Sequence, residues 1–103
     1  MKLYIDTSNS KKVVVVIDEK RFERESKKGS SQTLLSLIDE VLNSEGKRLE
    51  DISKIEVETG PGSFTGLRVG VSVANALGWT LKVPVNGKKV GSGESVDITY
   101  SPG

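Results

Sequence analysis

The sequence predicts an α/β domain built on a mixed sheet, and three observations carry that reading. Residues 13–17 are five β-branched residues in a row, the strongest strand signal in the chain. Two stretches, residues 34–42 and 67–81, are rich in apolar residues over helical lengths. Short strand-like segments separated by turns fill the first third, and strands then alternate with helices. Hairpin-joined strands followed by such alternation put antiparallel and parallel pairs into one sheet, with helices packed on it.

The elements follow in order. Leu3, Tyr4 and Ile5 form a short apolar run that ends in the polar cluster Asp6-Thr7-Ser8-Asn9-Ser10, hence a buried strand and a turn. The unbroken run at 13–17 implies burial on both faces. Asp18-Glu19-Lys20 is a tight connection without the Asn-Gly or Asp-Gly signature. Residues 21–27 are charged around Phe22, as suits a guarded edge strand. Gly29-Ser30-Ser31 marks a break, and Ser30 or Ser31 can cap a helix that carries Leu34, Leu35, Leu37, Ile38, Val41 and Leu42. Gly46 fits the left-handed position just past its end. Ile52, Ile55 and Val57 lead into a strand that stops at Gly60-Pro61-Gly62. A second helix starts near Ser63 and runs to about Lys82. Val83-Pro84-Val85 is the last strand of the core, making five. This is the layout of a ribonuclease H-like fold, with residues 1–87 as the domain and 88–103 as a tail that adds an edge strand or hangs free.

Composition removes several functions. The 103 residues suffice for one domain, and a domain this small is marginal alone, so help from a partner surface is expected. The net charge of +1 supplies no basic field for nucleic acid. There is no cysteine and no histidine, which removes thiolate chemistry, the commonest general base and the commonest transition-metal ligand. No leader precedes the first strand, and the longest apolar run, 13–17, is too short to span a bilayer. A soluble, cytoplasmic chain is the expectation.

The stretch Thr59-Gly60-Pro61-Gly62-Ser63-Phe64-Thr65-Gly66-Leu67-Arg68 is the most informative. It is a strand end, a glycine-rich turn and a helix start in succession. Two readings stay open: a tight β–α connection, or an anion site at the helix N-terminus. The spacing fits neither the dinucleotide fingerprint nor the phosphate loop, which needs a lysine after its second glycine. Within the helix, Gly66, Gly70, Ala74 and Gly78 recur every four residues as a stripe of small side chains, which implies close approach of another backbone. Phe64 is expected to anchor the first turn in the core and Ser63 to cap it. The helix is apolar nearly all round, so a sheet on one side and something else on the other are expected to cover it.

The nine residues from Gly60 to Arg68 resemble the signature of the TsaB (YeaZ) family. Ile5-Asp6-Thr7-Ser8 at the end of the first strand, Ser31-Gln32 opening a leucine-rich helix, and Val83-Pro84-Val85-Asn86-Gly87 resemble that family as well, so the likeness covers residues 1–87. It implies an actin-like ATPase fold with a degenerate nucleotide site at Asp6, Thr7 and Ser8. It implies a catalytically silent subunit that supports a TsaD-like transferase in making threonylcarbamoyladenosine on tRNA. A TsaE-like ATPase belongs to the larger assembly, tRNA is met indirectly, and the chain alone forms a homodimer through the same two helices. No cofactor is expected on this chain alone; ATP or ADP would enter only in the assembled complex. The expected partner interface is Leu35, Ile38, Leu42, Gly66, Gly70, Val73, Ala74, Leu77 and Gly78. Two departures stand out. The family's second domain has no room in 103 residues, so the chain is either shortened or a minimal member. Ser31 replaces the histidine often found there.

The competing function is a single-domain metal-dependent nuclease of the same fold. It would use Asp6 and Glu58 at adjacent strand ends together with Glu40 from the first helix. The plainer reading of Asp6 is that it organises its own turn through Thr7 and Ser8. A two-lobed kinase is excluded by length, and a metal-dependent peptidase by the lack of histidine ligands. Arg68 lies one turn into its helix, where its charge gains nothing from the helix dipole, and is expected to reach outside the chain.

Overall fold

The computed structural model describes residues 1–26 and 31–88. Four strands form one sheet: β1 (Lys2–Asp6), β2 (Lys12–Ile17), β3 (Lys20–Glu25) and β4 (Lys54–Val57), in the order β3-β2-β1-β4. β1 pairs antiparallel with β2 and parallel with β4, and β2 pairs antiparallel with β3. Helix α1 spans Ser31–Ser44 and α2 spans Phe64–Leu81, with a 3₁₀ turn at Leu49–Asp51 between α1 and β4. The mixed sheet, the hairpin start and the two helices match the expected layout.

Side chains alternate across a pleated strand, and this decides what lies between sheet and helices. Leu3, Ile5, Val13, Val15, Ile17, Ile55 and Val57 form one core with Leu34, Leu37, Ile38, Val41 and Leu42 of α1 and Val71, Val73 and Ala74 of α2. Both helices therefore cover the same sheet face. The opposite face carries Tyr4 and Asp6 beside Val16 and Val14, with Arg21, Glu23 and Glu56 as further neighbours. Ion pairs Lys2–Glu56, Lys12–Glu23 and Arg21–Glu23 lie along it. Val14 is nonetheless buried, so the run at 13–17 is covered on both faces over most of its length.

Helix ends follow their local chemistry. α1 stops at a Schellman closure. Gly46 is left-handed with φ 65°, and the N–H of Lys47 donates to the carbonyl of Leu42 at 2.8 Å. Ser31 is the first helical residue, while Ser30 lies outside the described residues. α2 is capped by Ser63, whose hydroxyl accepts from the N–H of Gly66. It ends at Lys82, left-handed at φ 58°.

The expected fifth strand is corrected. Val85 forms only isolated bridges, parallel to Ile55 and antiparallel to Lys88. The reason is local. Pro84 has no N–H to give a ladder, and Asn86 and Gly87 turn left-handed at φ 49° and 78°. The chain reverses there, with Val85 and Lys88 exchanging both backbone hydrogen bonds at 2.9 Å. This is the two-residue turn that an Asn-Gly pair signals. Asn86 then finishes the edge of β4 with its side chain. Its Oδ1 accepts from the N–H of Val57 at 2.8 Å, and its Nδ2 donates to the Val57 carbonyl at 3.0 Å. A side-chain amide thus stands in for the next strand's peptide. The tail expected at 88–103 lies outside the described residues from 89 onward.

The β2–β3 turn places Asp18 and Glu19 at φ 47° and 73°, left-handed positions held here without glycine. Glu19→Gly should raise stability by about 1 kcal/mol, because the steric cost at that position exceeds the entropy that glycine adds to the unfolded chain. Urea unfolding of the two proteins measures it; an unchanged or lower midpoint would show that the turn is relaxed with glutamate.

Candidate functional site

β1 and β4 run parallel, so their carboxyl ends open side by side, the usual place for a site in a sheet of this kind. Two loops meet there. The first is Asp6-Thr7-Ser8, leaving β1. The second runs from Glu58 through Gly60-Pro61-Gly62 to Ser63, joining β4 to α2, with a cis bond between Gly60 and Pro61.

Thr7 holds the two together. It is fully buried, and its hydroxyl donates to the carbonyl of Gly66 at 2.5 Å and accepts from the N–H of Gly70 at 3.1 Å. Those are the two groups that an α-helix ordinarily joins to each other. The hydroxyl can reach them only because both residues lack a Cβ. A Cβ on Gly66 would stand 2.2 Å from the Thr7 carbonyl oxygen, and one on Gly70 would stand 2.4 Å from Thr7 Oγ1. Below this clasp the loops touch again. The Ser63 N–H donates to the Ser8 carbonyl at 2.8 Å, and a Cβ on Gly62 would come within 2.6 Å of Ser8 Cβ.

The acidic residues are spent locally. Asp6 Oδ1 accepts from both the N–H and the hydroxyl of Ser8, at 2.9 and 2.6 Å. It organises its own turn. Glu58 accepts from the Tyr4 hydroxyl and from the Gly60 N–H, each at 3.3 Å. Burial first, then the neighbouring charges of Asp6 and Glu58, push the Tyr4 hydroxyl up to about 12. Glu40 pairs with Arg24 at 2.6 Å on the other side of the molecule. The nuclease trio therefore does not assemble. Asp6 and Glu58 share adjacent strand ends but Glu40 does not join them, and among the described residues no group of three His, Cys, Asp or Glu side chains could hold a metal ion.

Two further expectations are corrected. Phe64 does not anchor the first turn of α2 in the core: it is 45% exposed, and Gly66 and Leu67 are the residues that turn inward. The small-residue stripe is likewise spent inside the chain. Gly66, Gly70, Ala74 and Gly78 are buried, and the close approach that Gly66 and Gly70 permit is to Thr7 and β1. Ile38, Leu42 and Val73 are core residues too. Of the nine residues expected to face a partner, only Leu35, 49% exposed, and Leu77, partly exposed, reach the surface. The outer face of α2 consists instead of Phe64, Thr65, Arg68, Ser72, Ala76, Trp79 and Thr80. The many apolar residues of the helix hid this face, since phenylalanine, alanine and tryptophan read as core residues; the polar Arg68 and Ser72, one turn apart, could have marked it.

Among the described residues, no helix is long and apolar enough to cross a membrane. The family model for TsaD, tRNA N6-adenosine threonylcarbamoyltransferase, matches residues 23–88. A Bacillus subtilis protein named tRNA threonylcarbamoyladenosine biosynthesis protein TsaB is 36% identical over 88 residues, 82% of this chain and 38% of that protein. A tRNA N6-adenosine threonylcarbamoyltransferase of Nitrosospira multiformis is 48% identical over 54 residues, 52% of this chain and 16% of that one. The solved structure of YeaZ from Pseudomonas aeruginosa superposes with a TM-score of 0.69 at 28% identity, covering 82% of this chain and 41% of that one. The chain thus spans about two fifths of the length of its TsaB and YeaZ relatives.

Two outcomes test this geometry. Gly66→Ala should lower stability by about 2–3 kcal/mol through overpacking against the Thr7 carbonyl, whereas Ser72→Ala on the outer face should be nearly neutral; chemical denaturation compares them. The Tyr4 hydroxyl is held protonated in the folded chain above its ordinary value. Stability should therefore be fully present below pH 10 and fall as pH rises from about 10 to about 12. Tyr4→Phe should lose that slope, and an unchanged alkaline slope would exclude Tyr4 as its source.

Proposed function

Because the chain belongs to the TsaB (YeaZ) branch of the TsaD family, we propose that it is a non-catalytic partner subunit in the synthesis of threonylcarbamoyladenosine on tRNA, binding and supporting a TsaD-type transferase through its helical face. One observation carries the reading: the loops at the carboxyl ends of β1 and β4 are packed against each other. Gly62 lies on Ser8, the Ser63 hydroxyl occupies the Gly66 N–H, and the Ser63 carbonyl accepts from the Leu67 N–H at 2.8 Å. Several N–H groups that could cradle a phosphate, those of Ser8, Gly60, Ser63 and Gly66, are spent within the chain. Asp6 is tied into its turn as well. What the motif leaves outward is surface: Arg68 and Phe64 on the same helix, with Trp79 three turns further along.

In this role the transferase carries the chemistry and the tRNA, which agrees with a chain of net charge +1. Nucleotide is met only in the assembled complex, together with a TsaE-type ATPase, and the chain works in the cytoplasm. In the absence of the transferase the same face serves for self-association.

The test is co-purification. A tagged chain, expressed in its own host, should bring down the TsaD-type transferase, and adding it to that transferase should raise threonylcarbamoyladenosine formation on tRNA. A chain that neither binds the transferase nor changes its rate would sink the proposal. Magnesium-dependent cleavage of nucleic acid, lost in Asp6→Asn, would replace it with the nuclease reading.

A further inference from the structure

Asn86-Gly87 is the only Asn-Gly pair in the sequence, and it forms the exposed two-residue turn at the margin of β4. Its two halves stand in opposite situations. The Gly87 side is open: a Cβ there would meet nothing within 4 Å. The Asn86 side is held. Its Oδ1 accepts from the Val57 N–H at 2.8 Å, its Nδ2 donates to the Val57 carbonyl at 3.0 Å, and its own N–H donates to the Ile55 carbonyl at 2.8 Å. The Ile55 N–H in turn donates to the Pro84 carbonyl at 2.9 Å. An asparagine followed by glycine carries its own reaction partner. The next backbone nitrogen is unshielded by any Cβ and lies within reach of the side-chain carbonyl carbon. Asn9, Asn43 and Asn75 are followed by serine, serine and alanine, whose side chains crowd that nitrogen.

We propose that Asn86-Gly87 is a site of spontaneous deamidation that the edge of β4 holds shut, so that conversion occurs when this edge opens and then keeps it open. The Gly87 backbone nitrogen gives its proton to solvent and attacks Cγ of Asn86. The new N–Cγ bond closes a cyclic imide, the Cγ–Nδ2 bond breaks, and Nδ2 leaves as ammonia with a proton from water. A further water opens the ring at either carbonyl and leaves aspartate or isoaspartate at position 86. The folded chain opposes the first step, because Cγ turns onto the Gly87 nitrogen only after both hydrogen bonds to Val57 are released. The products cannot rebuild the edge. Aspartate keeps an acceptor for the Val57 N–H but has no donor for the Val57 carbonyl, and it sets a charged oxygen against it. Isoaspartate adds a methylene to the main chain, which breaks the Val85–Lys88 pairing of a turn whose length fixes its register. Val57 immediately precedes Glu58, whose carboxylate accepts from the Gly60 N–H, so the loosened edge lies at the base of the glycine-rich loop.

The experiment incubates the purified full chain at mildly alkaline pH, folded in buffer and unfolded in urea, and follows each asparagine by peptide mapping and mass spectrometry. Asn9 and Asn43, each followed by serine, are the internal references. In urea Asn86 should convert fastest of the asparagines, to aspartate and isoaspartate together, and Gly87→Ala should suppress this. In buffer Asn86 should convert about tenfold more slowly than in urea, because the edge must open first. Native hydrogen exchange of Asn86→Asp should be faster than wild type at the Ile55 and Val57 amides. Conversion in urea no faster at Asn86 than at Asn9 or Asn43 would overturn the site. Equal rates at Asn86 in buffer and in urea would overturn the restraint by β4. Wild-type exchange at Ile55 and Val57 in Asn86→Asp would overturn the lasting opening. The conversion rates need only the wild-type chain, so they decide the first two points even where a variant does not fold. None of these readouts involves the transferase, so the outcome is independent of the partner-subunit reading.

Discussion

The architecture rests on one buried hydroxyl. Thr7, at the end of the first strand, inserts between the carbonyl of Gly66 and the N–H of Gly70 and satisfies both. Each such bond is worth about 1 kcal/mol net, and leaving the buried groups unpaired would cost more than that. Its larger effect is geometric. The contact fixes the distance and rotation of α2 on the sheet, because neither helix residue has a side chain that could hold the strand away. Once the rotation is set, Leu67, Val71, Ala74 and Gly78 must point inward, and Arg68, Ser72 and Trp79 must point out.

That constraint explains why a motif that resembles a ligand loop is packed. Bringing α2 down on Thr7 also brings Gly62 onto Ser8 and the Ser63 N–H onto the Ser8 carbonyl. Glycines at such a junction let backbone approach either an anion or another backbone. Here the approach is to the chain's own first loop. The proposed role rests on this division: an inner side of the motif builds the domain, and an outer side, Phe64, Thr65 and Arg68, is exposed.

The sheet margins follow the same economy of local devices. Strand β3 is an edge strand, and its charges are tied down by Arg21–Glu23, Arg24–Glu40 and Lys20–Glu45, which discourages pairing with a foreign strand and fastens α1 to the sheet. On the other margin, β4 is closed by Pro84, Asn86 and the Asn86 side-chain amide rather than by a full strand.

The sequence by itself determined the elements and their order. The β-branched run at 13–17, the periodic leucines of α1, Gly46 past its end and Ser63 at the start of α2 each act through neighbours a few residues away, so local pattern suffices to read them. It also determined that Asp6 would turn back on its own loop, because an Asx turn is a contact two residues long. Only the tertiary structure decided which way the small-residue stripe faces. Spacing of four shows that Gly66, Gly70, Ala74 and Gly78 share a side, but that this side meets Thr7, some sixty residues earlier, depends on a long-range contact that no window of sequence contains. The same holds for Phe64, which is apolar yet faces out because Leu67 and Val71 occupy the inward arc. It holds for Asn86 too, whose amide completes an edge only because β4 happens to end beside it.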